Sequence, residues 1–237
     1  PPIKEAIYIL TKKLASTHND IEQGLFGAMR DMLIYMDEQT DEKQYFFGTD
    51  FFERVWEKMV DRAFGVENKD QYFPRTRWLL DYGATRETVP LQPDTIMVFN
   101  GKTYVLDAKL YRYGWSRNPE HLPNSADISK QITYGEYVEQ SRGIANENLY
   151  NAFIMPFNRE QNLFKMVSEN GSIIPAIPGD IGNVGEAVGD WKPNLKNYER
   201  VQGIVVDTRF LMYNYVSMSD AEKKQLAEAI EKVLTRE

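Results

Sequence analysis

The hydrophobic positions of the chain fall into runs of two different periods. In residues 3–15 and 20–37, Ile7, Leu10 and Leu14, then Ile21, Leu25, Ala28, Met29 and Met32, recur at spacings of three and four, the mark of helices with one apolar stripe. Asp20 is the N-cap expected for the second of them. A charged break, DEQTDEKQ, covers 37–44. The clearest helical pattern is TDFFERVWEKMVDRAF at 49–64, where Phe52, Val55, Trp56, Met59, Val60 and Ala63 make one face. Asp50 is its natural N-cap and Gly65 its natural stop. The period then shortens. Residues 95–99 (TIMVF) and 102–111 (KTYVLDAKLY) read as strands, and the Asn100-Gly101 between them favours a two-residue hairpin turn. A helix is predicted over 127–140, capped by Asp127 and tolerating Gly135. Residues 149–157 and 201–206 predict buried strands, 209–216 a strand or a helix, and 219–234 a last helix capped by Ser219. The Gly- and Pro-rich stretch 171–195 reads as a long loop. This order predicts an α/β fold: a mixed central sheet flanked by helices, behind an N-terminal helical segment.

The hairpin also fixes a register. With Asn100-Gly101 as the loop, Phe99 pairs with Lys102, and counting outward sets Asp94 opposite Asp107. Directly opposed residues share a sheet face with Cβ atoms about 5 Å apart. Lys109, two positions past Asp107, shares that face, whereas Ala108 turns to the apolar side with Tyr104, Leu106 and Leu110. Two carboxylates held face to face repel unless a cation compensates them. Mg²⁺ suits such a place because it takes oxygen ligands and keeps several waters, and Mn²⁺ is expected to substitute. A metal there would polarise a phosphate and activate a water. A lysine alongside would stabilise the charge that develops on the phosphate.

The bare pattern of Pro-Asp, a dozen residues and Asp-x-Lys has low specificity, because ordinary surface hairpins carry it too. The helix at 49–64 adds to it. Glu53 and Glu57 lie four apart on one flank, and either offers a third carboxylate; helix geometry does not choose between them. Gln131 and Tyr134, one turn apart on the next helix, read by themselves as ordinary helix polarity. The two histidines, His18 and His121, read as surface residues. Gly179, Gly182, Gly185 and Gly189 lack the Gly-Lys-Ser/Thr ending and the strand–turn–helix setting of a phosphate loop.

Composition narrows the classes. With 12 Phe and 14 Tyr there is material for a core, and with no Cys there is no disulfide or thiolate metal site, which fits a reducing cytoplasm. No apolar run approaches the length of a membrane span. A net charge of −7 argues against broad electrostatic binding of nucleic acid. Its distribution softens that objection. Residues 1–70 hold 9 Lys/Arg against 14 Asp/Glu, but residues 75–130 hold 8 against 6. An acidic metal site also raises the carboxylate count until its cations bind. Pro1 stands where Met is expected, so a chain processed or cut from a longer one is expected.

The segments FFERVWEKMVDRAFG, LQPDTIMV, YVLDAKLYRYG, LPNSADISKQITYGEYVE, NAFIMPF and GIVVDTRFLM, from about 46 to 212, resemble the LlaJI-type restriction endonucleases, a branch of the PD-(D/E)xK nuclease superfamily. The resemblance implies a restriction-endonuclease-like nuclease domain over 46–237. Residues 1–45, which show no such resemblance, form a helical lead or partner-docking segment. It implies Asp94 and Asp107 as metal ligands and Lys109 as the catalytic lysine. It favours Glu57 over Glu53 as the helix carboxylate and raises Gln131 to an accessory catalytic residue. The implied activity is Mg²⁺-dependent cleavage of double-stranded DNA in a bacterial restriction system, in the cytoplasm. Double-strand cleavage calls for a homodimer or larger assembly. Some such systems resemble the McrBC type, in which the nuclease works with an AAA+ nucleotide-hydrolysing partner. The loop 114–126, with Trp115 and Arg117, is the expected DNA-facing element, joined by Lys130 and Tyr134. The alternatives are a non-cleaving nuclease fold used for DNA binding or assembly, and a repair or junction nuclease.

Overall fold

The helical lead and the strand-bearing remainder form two units, residues 1–49 and 50–237, each described by itself. The computed structural model describes residues 3–17, 19–37, 51–192 and 196–232. In the first unit, α1 (Ile3–Ser16) packs on α2 (Asp20–Asp37), with the Lys13 ammonium over the Phe26 ring. The cap of α2 is Asn19, whose side chain accepts the Glu22 N–H. The expected cap, Asp20, is already the first helical residue. His18, the Asp50 cap and the expected boundary at 45/46 lie outside the described residues.

The second unit begins with α3 (Phe52–Phe64), which stops at Gly65 as its sequence predicts. A short ribbon of β1 (Arg77–Leu79) and β2 (Thr85–Glu87) follows, in a stretch where the sequence pattern predicts no element. The predicted hairpin is β3 (Thr95–Phe99) and β4 (Lys102–Ala108). Its turn places Asn100 at φ +48° and Gly101 at φ +75°, the left-handed pair that a two-residue turn needs. Pairing runs from Phe99–Lys102 to Thr95–Leu106, the register counted from the sequence. After α4 (Tyr113–Ser116) comes α5 (Ser125–Arg142). Its cap is Asn124, not Asp127, which is instead the third helical residue and closes a reciprocal capping box.

Next come β5 (Leu149–Phe157) and a hairpin of β6 (Lys165–Val167) and β7 (Ile173–Pro175). The predicted loop at 171–195 is corrected by β7 and by β8 (Ile181–Ala187), which joins the central sheet through a bulge at Asn183–Gly185. Then follow β9 (Val201–Asp207), α6 (Thr208–Asn214) and α7 (Asp220–Glu231). The ambiguous 209–216 segment is helical because the Asp207 side chain caps it on the Phe210 N–H. Ser219 caps α7 as expected, and the predicted end at 234 lies outside the described residues.

The sheet order is β3-β4-β5-β9-β8. The three central strands are parallel, and an antiparallel strand sits on each edge. Strand alternation sends Tyr104, Leu106, Ala108, Ile154, Ile204 and Val206 to one face, against Trp56, Val60, Leu226 and Ile230 of α3 and α7. The opposite face, carrying Ile96, Val105 and Leu149, packs on Tyr134 and Val138 of α5. Asp107 belongs to this second, α5-facing set. No described helix is long and apolar enough to cross a membrane.

Candidate active site

The site forms where the β3–β4 hairpin runs out. Asp94 lies one residue before β3, and its Oδ2 accepts the Ala108 N–H at 2.9 Å, which ties its side chain to the end of β4. The Asp107 carboxylate is fully buried. No backbone N–H, hydroxyl or amide donates to its oxygens. What they meet is charge: Lys109 Nζ lies 2.7 Å from Oδ2, and Lys130 Nζ lies 3.8 Å from Oδ1. Burial first, then the Asp107 charge and then Glu57, push the Asp94 carboxyl up to about 7, with Lys109 opposing them. Burial alone would lower the Lys109 ammonium, but Asp107, Asp94 and Asp127 outweigh it and raise the group.

Lys109 is positioned from both sides. Its N–H donates to the Ile154 carbonyl, and the Trp56 indole N–H reaches the same oxygen at 3.0 Å. The residue next to Glu57 is thereby tied to the backbone that presents the lysine. On the other side, Asp127 Oδ1 lies 3.7 Å from Lys109 Nζ, while its Oδ2 accepts the Tyr111 hydroxyl at 2.8 Å.

A second cluster completes the rim. Glu57, Asp61, Lys69, Phe73, Gln92 and Asp94 line a cavity of about 220 Å³. Lys69 Nζ bridges Asp61 Oδ1 at 2.7 Å and the Asp94 carbonyl at 2.5 Å, which pins the backbone at the entry to β3. Of the two helix glutamates, Glu57 is half-buried in this cavity and Glu53 is exposed. The chemistry of the site fits a hard cation: paired carboxylates, one of them held protonated toward neutrality, and two buried Asp107 oxygens that face ammonium charge and no neutral donor. Among the described residues no three His, Cys, Asp or Glu side chains converge on one point. Asp94 and Asp107 could therefore hold a water-rich ion between them, with Glu57 at one remove.

The model of the LlaJI restriction endonuclease family matches residues 3–173. This chain belongs to that family. The match begins at the first residue of α1, so the two N-terminal helices, which the motifs quoted from 46 onward leave out, fall within the LlaJI match. Type II restriction enzyme BsuMI component YdjA of Bacillus subtilis (strain 168) is 29% identical over 169 residues, covering 67% of this chain and 36% of that protein. The chain thus spans about a third of the length of the curated relative it matches. The mixed five-stranded sheet flanked by helices is the restriction-endonuclease-like fold expected of a LlaJI family member.

The remaining expected residues of this LlaJI chain divide. Gln131 is fully buried, donates its amide N–H to the Val105 carbonyl at 2.7 Å, and leaves its Oε1 without a partner. It sits under β4 and braces it. Tyr134 is 1% exposed with its hydroxyl on the Gln92 carbonyl, so the expected DNA contact at this residue is corrected to a buried support of the Asp94 loop. Burial, then the Asp107 and Asp94 charges, push its phenol upward. Lys130 stands at the site mouth. Trp115 is partly exposed on α4. The Arg117 guanidinium lies over the Phe164 ring and donates to the Leu163 carbonyl. His121 bonds Ser116 Oγ within the 114–126 loop. Three residues were missed: Asp61, Lys69 and, as a partner of Lys109, Asp127. The Asn124-x-x-Asp127 capping spacing was a signal for the last. The other two are brought in by tertiary contacts that no local pattern announces.

Proposed function

We propose that this chain is the metal-dependent, DNA-cleaving domain of a bacterial restriction system, with PD-(D/E)xK chemistry. The observation that carries the reading is the buried pair Asp94 and Asp107 with the Lys109 ammonium 2.7 Å from Asp107. Asp94 and Asp107 would hold Mg²⁺, or Mn²⁺ in its place, and Glu57 would orient a water bound to it. When bound, the ion supplies Lewis-acid polarisation of the phosphate and a water of lowered pKa. Asp107 fixes the ion's place because its carboxylate is buried and only charged side chains, Lys109 closest at 2.7 Å, face it. Lys109, held between Asp107 and Asp127, donates to the phosphate oxygen on which charge develops. Gln131 keeps β4, and so Asp107, in register. Lys130, with Trp115 and Arg117 from the 114–126 loop, contacts the DNA backbone.

The relative's description as a component of a restriction enzyme supports work within an assembly. Cutting both strands needs two such centres, so a homodimer or larger complex follows. A nucleotide-hydrolysing AAA+ subunit of the McrBC type is a further proposed partner, and the cytoplasm the proposed compartment. The test is cleavage of plasmid DNA with Mg²⁺, with and without EDTA. Wild-type protein, supplemented where needed with its neighbouring operon products, is expected to cut. Asp107→Ala and Lys109→Ala are expected to lose activity by roughly 10²–10³-fold or more. Equal cutting by Asp107→Ala and wild type would contradict the assignment.

A further inference from the structure

The β1–β2 ribbon takes no part in the carboxylate centre, yet it grows from its rim. The Thr88 N–H donates to the Thr76 carbonyl, and the Leu91 N–H donates to the Pro74 carbonyl. The residues just below that last bond, Phe73 and Gln92, line the cavity with Glu57 and Asp94. All six strand residues are exposed, and two short strands alone do not make a stable sheet in water. The pairs Trp78–Arg86 and Arg77–Glu87 sort the side chains. One face carries Thr76, Trp78, Arg86 and Thr88 and has no carboxylate. The other carries Arg77, Leu79, Thr85 and Glu87, where the charges of Arg77 and Glu87 offset each other. Trp78 is 64% exposed, and Tyr82 at the turn is 76% exposed.

From Thr76 to the turn the ribbon reaches about 15–20 Å at about 3.3 Å per residue. A DNA major groove, about 12 Å wide and 8.5 Å deep, admits a two-stranded ribbon. The carboxylate-free face supplies what such a groove takes, a guanidinium with forked donors and a flat apolar ring, above two threonine hydroxyls that bond each other and brace the ribbon's base. We propose that the β1–β2 ribbon is a DNA-reading element that enters a groove of double-stranded DNA beside the phosphate to be cut, with Trp78 and Arg86 as its contact residues. The inference rests on the nuclease reading above and adds the element that positions its substrate. Because the chain at the ribbon's base, Phe73 and Gln92, lines the same cavity as Asp94, docking of the ribbon fixes where the carboxylate pair meets the backbone.

The experiment is fluorescence anisotropy of the full chain against a labelled mixed-sequence duplex, over a range of salt, without Mg²⁺. Two double variants are compared with wild type: Trp78→Ala with Arg86→Ala, and the opposite-face pair Arg77→Ala with Glu87→Ala. The first is expected to bind at least tenfold more weakly and to lower the slope of log affinity against log salt by about one. The second is expected to bind like wild type, and both are expected to melt like wild type. Unchanged affinity in the Trp78/Arg86 variant, or equal weakening by both pairs, overturns the ribbon assignment alone. Unchanged DNA affinity with loss of self-association would make the ribbon a protein interface instead, and also overturns it. A wild-type chain that leaves the duplex free sinks the nuclease reading as well.

Discussion

Asp94 keeps a proton in the folded chain that it releases near pH 4 when unfolded, because it is buried beside Asp107 and near Glu57. Between its ordinary value of 3.8 and about 7, the native state holds a proton that the unfolded state has lost. Raising the pH through that window therefore favours unfolding, and the stabilisation present below it is gone above about 7. In EDTA, the wild type is expected to lose on the order of 1–2 kcal/mol from this group across the window, after discounting for solvent screening. Asp94→Asn should remove that loss and be the more stable protein at pH 8, read from urea midpoints. A wild-type and variant difference that does not change with pH would show that the carboxylates do not repel. Glu57 and Glu53 are separated by a second comparison. Glu57→Gln should lower cleavage by at least tenfold, whereas Glu53→Gln, on the exposed flank, should leave it within twofold.

At the scale of elements, α5 governs how well the site is held. Gly135 lies where an added Cβ would come within 2.6 Å of Tyr198 Cδ2 and 2.8 Å of Asn151 Nδ2. Asn151 donates to the Gln131 and Tyr198 carbonyls, so this crowding acts one residue away from the brace under β4. Gly135→Ala gains up to about 1 kcal/mol of helix propensity, but overpacking costs about 1–3 kcal/mol. A lower urea midpoint is therefore expected, and a higher one would show that Tyr198 can yield. A sequence pattern that merely tolerates Gly135 contains nothing of this, because Tyr198 and Asn151 come from distant segments. The same limit explains the other differences. The β3–β4 register was legible because Asn100-Gly101 dictates its own turn geometry, and Asp94, Asp107 and Lys109 follow from it by counting. Strand β8 was hidden because a bulged edge strand rich in glycine carries neither alternation nor β-branched density. The β1–β2 ribbon was hidden because both its faces are exposed, so no burial imposes a period.

For the molecule as a whole, the difficulty is a net charge of −7 on a chain proposed to cut DNA, a polyanion. The difficulty is local. Four of the carboxylates, Glu57, Asp61 and Asp94 at the cavity and the adjoining Asp107, gather where a divalent cation would offset their charge. Arg86, Arg117 and Lys130 lie in the stretch 75–130, where basic residues outnumber acidic ones. Membership of the LlaJI family and the match to a component of a larger restriction enzyme set this arrangement in a restriction context. The central claim is that Asp94 and Asp107 form a divalent-cation site, and it can be tested without DNA or a partner subunit. Titration calorimetry of the chain with Mn²⁺ at pH 8 should find one site per chain in the wild type and no binding there in a folded Asp107→Asn variant. Equal Mn²⁺ binding by both proteins, or none by the wild type, would contradict the account.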